Sequence, residues 1–403
     1  MDAKAEGPVQ RLSASILATF PELDEDAKAE FFAYLASELD LDADAVAKAA
    51  EAYRDAQNAE TLDTLLNVSE PGRQTLFRKL NTSEGATTAL VNMRAALLGF
   101  MRQTPDFRRI DLDLVHLFTS WFNRGFLVLE RVDWATPARV LEKIIAYEAV
   151  HQINDWDDLR RRTEPSDRRC YAYFHPRMPD EPLIFVEVAL TQGVPASIQG
   201  VLAEDRAPLD ATEADTAVFY SISNCQKGLA GISFGESLIK NVVADLSAEL
   251  PELKTFITLS PIPGFRKWIG ELDQSTDPRP GAILEAVAVA EDSGDTGALD
   301  EQAEAIRSLA AHYLAKSKRG DGQPRNPVAR FHLSNGAEID NVLAGADQSQ
   351  NGWAQSVGAM VNYRYRLKRV EANGAAYATK SKIAVSRGVQ ALLRAAPGGS
   401  EQA

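Results

Sequence analysis

K-T-F-I-T-L-S-P-I-P-G-F, Lys254 to Phe265, opens as a strand and closes as a stiff turn. Lys254 to Thr258 is rich in residues that suit a pleated, half-buried surface. Pro261 has no N–H and pushes Ser260 towards an extended conformation. Pro263 and Gly264 then make the exit rigid and sharply turned. One hydroxyl, that of Ser260, is held at the carboxyl end of a strand, the edge where open α/β sheets place ligands. The same residues also describe a Ser-Pro turn that only stops a strand, so the surrounding chain has to decide.

Upstream, A-V-F-Y-S-I-S (Ala217 to Ser223) reads as another strand and Asn224 to Gly231 as a glycine-containing loop. Ser233 to Leu250 has helical spacing, with Leu238, Val242, Leu246 and Leu250 on one face and Pro251 at its end. The three pieces form a strand–helix–strand unit of a length that suits a right-handed parallel crossover. Tyr171 to His175 and Leu183 to Leu190 also read as strands, the second almost continuously apolar apart from Glu187. Downstream come a loop-and-helix insertion over Gln274 to Thr296, a helix over Ala298 to Lys316, and a strand over Val361 to Leu367.

The chain before this region has a different texture. Residues 1–165 carry apolar positions at helical spacing: Phe31, Phe32, Leu35 and Leu39, then Leu90, Met93, Leu97 and Met101. Thr136-Pro137 is a helix start, followed by Val140, Leu141, Ile144, Ile145 and Glu148 at helical spacing. The polar run Asp157 to Arg169 marks a domain junction. A helical domain over 1–165, a strand-rich domain over 166–390 and a disordered tail over 391–403 are expected. Such a helical domain suits oligomerisation.

The 403 residues exceed one ordinary core. A net charge of −14 argues against nucleic-acid binding, yet leaves room for a basic pocket that takes a phosphate-bearing ligand. Cys170 and Cys225 form neither a Cys-x-x-Cys pair nor a disulfide framework. His116, His151, His175, His312 and His332 include no His-x-x-x-His pair, which removes a zincin. With no signal pattern and no apolar run of bilayer length, a reducing cytoplasm and no membrane are expected.

Two further stretches carry chemistry. A-G-I-S-F-G-E, Ala230 to Glu236, puts Gly231 and Gly235 at a helix start, where backbone N–H groups and the helix dipole can meet a pyrophosphate. The geometry is that of the coenzyme A loop of GNAT acetyltransferases, although Ala230 and Ser233 replace the usual Arg/Gln and first glycine. His332, between Phe331 and Leu333 and before the Asn335-Gly336 turn, is expected at the end of a strand. It is either a buried turn histidine or a partner for Ser260, since two strand ends of one sheet can meet.

Taken in order, these runs resemble the malonyl-CoA decarboxylase family. The resemblance rests on H-P-R-M-P-D-E-P-L-I-F-V-E-V-A-L-T (His175 to Thr191), F-Y-S-I-S (Phe219 to Ser223) and G-I-S-F-G (Gly231 to Gly235). L-S-P-I-P-G-F (Leu259 to Phe265), N-P-V-A-R-F-H-L-S-N-G-A (Asn326 to Ala337) and N-Y-R-Y (Asn362 to Tyr365) complete it. It implies an α+β chain, a helical N-terminal domain followed by a GNAT-like mixed-sheet catalytic domain. It also implies conversion of malonyl-CoA to acetyl-CoA and carbon dioxide without a cofactor or metal. By the same resemblance Ser260 and His332 are the catalytic pair. The coenzyme A loop is Ala230, Gly231, Ile232, Ser233, Phe234, Gly235 and Glu236, with Ser233 and Glu236 as departures. Ser221 and Tyr365 are further candidates for holding the carboxylate or carbonyl. Lys227, Lys240 and Arg364 are candidates for the 3′-phosphate, and His175 is expected to be structural. The partners implied are malonyl-CoA and further copies of the chain, as a dimer or tetramer. Two other readings remain open: an acyltransferase that needs an amine acceptor, and a non-catalytic acyl-CoA-binding scaffold.

Overall fold

The computed structural model describes residues 7–232, 235 and 238–394. By their contacts the residues fall into two compact units. The first contains 1–128 with the insertions 173–183 and 224–234; the second contains 129–172, 184–223 and 235–403.

The first unit is helical. Its helices include Glu25–Ser37, Ala43–Asp55, Ala59–Val68, Ala86–Phe100 and Arg108–Trp121. Three open on a side-chain cap: Asp24 accepts from the N–H of Ala27, Asp42 from those of Asp44 and Ala45, and Asn58 from that of Thr61. The stripes seen in the sequence face inward, with Phe32, Leu35, Leu90, Met93 and Leu97 all buried. Phe32 meets the rings of Phe20, Phe100 and Phe107 at centroid distances of 5.6 to 5.8 Å. Gly228 packs so tightly on this core that a Cβ there would sit 1.8 Å from the carbonyl oxygen of Val91. Arg94, 2% exposed, donates to the carbonyls of Gly228 and Ala230 and pairs with Asp111 at 2.8 Å. A buried guanidinium thus fixes the start of the glycine loop.

The second unit is built on a mixed sheet. Its strands are β1 (Val128–Val132), β2 (Arg168–Phe174), β3 (Ile184–Thr191), β4 (Thr216–Asn224), β5 (Thr255–Thr258), β6 (Ser260–Pro261), β7 (Glu338–Leu343) and β8 (Met360–Arg364). Their order is β1-β2-β3-β4-β5-β8-β6, with β7 paired to β8. β4 and β5 are parallel from Thr216↔Thr255 to Phe219↔Thr258, and the helix Leu238–Glu249 follows β4 in the chain, so the expected crossover is present. β8 runs antiparallel to β5, β6 and β7. One face of the sheet is closed by Ala189, Ile198, Val201, Val218, Tyr220, Ile257, Leu259, Ala346 and Met360. Residues Ile184 to Leu190 are all buried, as a continuously apolar strand requires. Together the units give the α+β architecture.

Three expectations change. Residues 129–165 belong by their contacts to the sheet unit. Within it Arg162 reaches Glu187 on β3 at 3.3 Å, and Glu148 takes the hydroxyl of Ser221 on β4. His332 does not end a strand: it lies in the helix Pro327–Ser334. Asn326 accepts from the N–H of Ala329, and Pro327 occupies the first helical turn, a helix-start signal that outweighs the apolar neighbours of the histidine. The tail expected from 391 begins inside the helix Arg387–Arg394, and 395–403 lie outside the described residues. No described helix is long and apolar enough to cross a membrane.

Candidate active site

Ser260 sits just past β5, paired with Val361 of β8. Behind it Gly264 adopts φ +81° and opens the helix Phe265–Gly270. A side chain at Gly264 would be strained in that conformation and would meet the Tyr313 hydroxyl at 2.8 Å. The turn is tied down at the carbonyl of Pro263, which accepts from Asn326 Nδ2 at 3.0 Å and from Tyr313 Oη at 3.1 Å. Asn326 therefore does two things: it caps the histidine helix and fastens it to the serine turn.

The two candidate residues meet. Ser260 Oγ lies 3.4 Å from His332 Nε2 and donates to Thr258 Oγ1 at 2.9 Å. Thr258 is itself pinned, since its hydroxyl oxygen accepts from the N–H of Tyr363 and its carbonyl from Asn362 Nδ2. His332 Nδ1 lies 2.7 Å from Tyr365 Oη, and its ring stacks on Tyr363 at 4.4 Å and 21°. Ser260 is 6% exposed, His332 2% and Tyr365 3%. Burial drives the imidazole down to about 3, so it is neutral at physiological pH, one nitrogen donating and the other accepting. Burial pushes the Tyr365 phenol well above its usual value, so it keeps its proton.

Ser221 is held elsewhere. Its Oγ donates to the Glu148 carboxylate, 2.8 and 2.7 Å from the two oxygens. Glu148 also accepts from Ser223 Oγ at 3.2 Å and from the N–H groups of Val150 and His151 at 2.8 Å each. Sequence spacing had placed Glu148 on a helix stripe; it is the residue that ends the helix Ala138–Tyr147, in an extended conformation. On the neighbouring strand β3, Glu187 is fully buried beside Arg162, and burial pushes its carboxyl up to about 8. His151 is driven down to about 4, again by burial.

Of the expected coenzyme A loop, Ala230 and Gly231 are exposed, Gly231 at φ +81°, while Ile232 is buried. Ser233, Phe234 and Glu236 lie outside the described residues. Gly235 has no Cβ for a reason: one built there would stand 3.1 Å from Ile184 Cδ1 and 3.2 Å from Phe331 Cε2. The second loop glycine thus packs on the residue preceding His332. Lys227 and Lys240 are exposed, and Arg364 faces Asp340 at 4.0 Å near the start of β5. His175, expected to be structural, bonds backbone: Nε2 lies 3.1 Å from the carbonyl of Trp121 and Nδ1 accepts from the N–H of Arg177. Thr258, Tyr363, Asn326 and Glu148 were missed, and only Asn326, through Asn-Pro, carried a local signal. Among the described residues no three His, Cys, Asp or Glu side chains gather as metal ligands.

Comparison with known proteins agrees with this geometry. Residues 39–122 match the malonyl-CoA decarboxylase N-terminal domain and residues 125–403 the malonyl-CoA decarboxylase C-terminal domain. A mitochondrial malonyl-CoA decarboxylase of Anser anser anser is 36% identical over 97% of this chain and 84% of its own length. That of Rattus norvegicus is 37% identical over 82% of this chain and 73% of its own. The crystal structure of malonyl-CoA decarboxylase from Rhodopseudomonas palustris superposes with a TM-score of 0.88 at 48% identity, covering 96% of both chains. The enzyme from Agrobacterium vitis gives 0.88 at 44% identity with the same coverage. With both halves matched and the relatives aligned over most of their length, the chain belongs to the malonyl-CoA decarboxylase family.

Proposed function

We propose that this protein converts malonyl-CoA to acetyl-CoA and carbon dioxide without a cofactor, with Ser260 and His332 as the reacting pair. The observation that carries the reading is the buried series Thr258–Ser260–His332–Tyr365 at the end of β5. The chemistry needs little else. When the bond between the carboxylate carbon and the α-carbon breaks, its electron pair moves into the thioester as an enolate, so the substrate is its own electron sink. The protein has to stabilise that oxygen and protonate the carbon. Each preorganised donor aimed at such an oxygen contributes roughly 3 kcal/mol by analogy with oxyanion holes.

Ser260 orients the malonyl group and exchanges a proton with it; His332 supplies the proton that ends on carbon. Because burial keeps the ring neutral, that proton comes from an N–H and not from an imidazolium. A Tyr365 hydroxyl that donates to Nδ1 places the ring proton on Nε2, the nitrogen facing Ser260. Tyr365 keeps its own proton and holds Nδ1 as the acceptor; the proton that Nε2 delivers to carbon is replaced from solvent, one per turnover. The exposed Gly231 and the close-packed Gly235 support the Ala230 to Glu236 loop as the pyrophosphate site. A homo-oligomer is supported by the exposed Val9 and Leu12 of the first helix, and a reducing cytoplasm by the buried Cys170 and Cys225, which form no disulfide.

Purified protein given malonyl-CoA, excess chelator and no amine should release acetyl-CoA and carbon dioxide in equal amounts. Binding without product would overturn the reading in favour of a scaffold. Turnover only with an added amine would make it an acyltransferase.

A further inference from the structure

A cavity of about 900 Å³ opens where β5 begins and β8 ends. Six cations line it: Lys254, Arg364, Arg366, Lys368, Arg369 and Arg387. Only Glu338 and Asp340 oppose them among the lining residues. Those two carboxylates are already matched, Glu338 by Arg366 at 2.5 Å and Asp340 by Arg366 at 3.5 Å and Arg364 at 4.0 Å. Of the remaining cations, Lys254 pairs loosely with the exposed Glu252, at 3.8 Å, and its charge also reaches Asp215. Lys368, Arg369 and Arg387 are exposed and have no carboxylate within ion-pair distance among the described residues. In a chain of net charge −14, such a gathering is opposite in sign to the protein as a whole. Clefts lined by one sign of charge focus the field and concentrate counter-ions.

We propose that this cavity is a second anion site, which takes a compact, multiply charged phosphate compound. Arginine forks match phosphate oxygens two at a time, and lysines add point charges with free rotation. Three unpaired cations together with the loosely paired Lys254 suit an anion of roughly three to four charges, as a linear triphosphate carries near neutral pH. The volume lies within the range of roughly 300 to 1,000 Å³ typical of small-molecule sites. The site is distinct from the candidate active centre. Lys254 and Ser260 stand at opposite ends of one strand run, about 20 Å apart at the rise of an extended chain. Gly235 of the expected coenzyme A loop packs on Phe331, the neighbour of His332, and so belongs to the Ser260 end.

The position also implies an effect. Tyr365, whose hydroxyl contacts His332, is flanked in sequence by Arg364 and Arg366, and all three residues line the cavity. An anion that draws those arginines away from Asp340 and Glu338 acts on the strand end that aims the tyrosine. Occupancy should therefore change kcat more than KM for malonyl-CoA; this consequence rests on the decarboxylase reading, whereas binding does not.

The test is calorimetric titration of the full chain with magnesium-free inorganic triphosphate, in the presence of saturating coenzyme A. The expected result is one triphosphate per chain, bound at least tenfold more weakly by the double variant Lys368→Glu/Arg387→Glu. That variant should keep the wild-type melting temperature and the wild-type turnover without triphosphate. Loss of triphosphate binding once coenzyme A is saturating would place it in the coenzyme A loop and overturn the proposal. Equal binding by the double variant would reduce the cations to a solvated surface and do the same. Should the variant melt early, Lys368→Gln/Arg387→Gln provides the same comparison without charge reversal. Binding that survives without any effect on turnover would overturn only the coupling to Tyr365.

Discussion

His332 Nδ1 lies 2.7 Å from the hydroxyl of Tyr365, a contact between a helix and the end of β8 that joins residues 33 positions apart. It determines which nitrogen of a neutral ring carries the proton. Tyr365→Phe keeps the ring and the packing against Phe219 but removes the only polar partner of Nδ1 found among the described residues. A hydrogen bond of this kind contributes about 1 to 2 kcal/mol, so kcat should fall about tenfold with KM nearly unchanged. Steady-state kinetics decide it, and wild-type kcat would remove Tyr365 from the proton path.

Ser260→Ala and His332→Ala should each lower kcat by roughly 10² to 10⁴, the range for a lost proton donor or oriented hydroxyl. Their effects should not multiply, because the two residues act on one proton. Circular dichroism guards the result: Ser260→Ala removes one small group and should melt near wild type, while His332→Ala leaves a void beneath Tyr363. Wild-type turnover in either folded variant ends its assigned role.

Much of this site could be read from local sequence, and the rest could not, for physical reasons. Ser260 was legible because Pro261, Pro263 and Gly264 act on their own neighbours. The crossover from β4 to β5 was legible because helix and strand periods differ. The helix around His332 was misread because Phe331 and Leu333 fit a strand as well as a helix; the Asn-Pro start was the better guide. Thr258 and Tyr363 were invisible because their roles arise from register: Ile257 pairs with Arg364, and this brings Tyr363 N–H onto the threonine hydroxyl. Glu148 was invisible for a related reason. Nothing near it in the chain shows that it will meet Ser221, 73 residues on.

The pH dependence follows from burial. His332 and His151 are driven to about 3 and about 4 in the folded protein, against roughly 6.5 when unfolded. Between those values the unfolded chain binds more protons. Stability from these residues is therefore full above pH ~6.5 and is lost as the pH falls towards ~4. Glu187 acts in the opposite sense: raised to about 8 against roughly 4.3 when unfolded, its contribution is full below pH ~4.3 and is lost progressively as the pH rises to about 8. Urea midpoints should peak near pH ~6.5, where the histidine gain ends, and His332→Gln should flatten the acidic side. In the same experiments kcat should show no break near pH 6.5, because the ring does not titrate there. A clear break at that pH, absent from His332→Gln, would mean that the ring is solvated during turnover.

Gly336 closes the His332 helix at φ +81°, and a Cβ there would lie 1.9 Å from the carbonyl oxygen of Val370. Gly294 ends the helix Arg279–Ser293 at φ +73°, but a Cβ there would meet nothing within 4 Å. The two positions separate the two costs of a side chain. Gly294→Ala should lose only the left-handed penalty, about 1 to 2 kcal/mol, with activity intact. Gly336→Ala must in addition push the strand-to-helix connection at Val370 away from the end of the histidine helix. It should cost more than about 3 kcal/mol and lower kcat, since the carbonyl of His332 is held by the N–H of Ala337, the residue after the glycine. Urea unfolding of the pair measures the difference directly. Equal losses would show that the backbone around Gly336 yields freely, and the placement of His332 would then have to come from Asn326 and the stacking on Tyr363 alone.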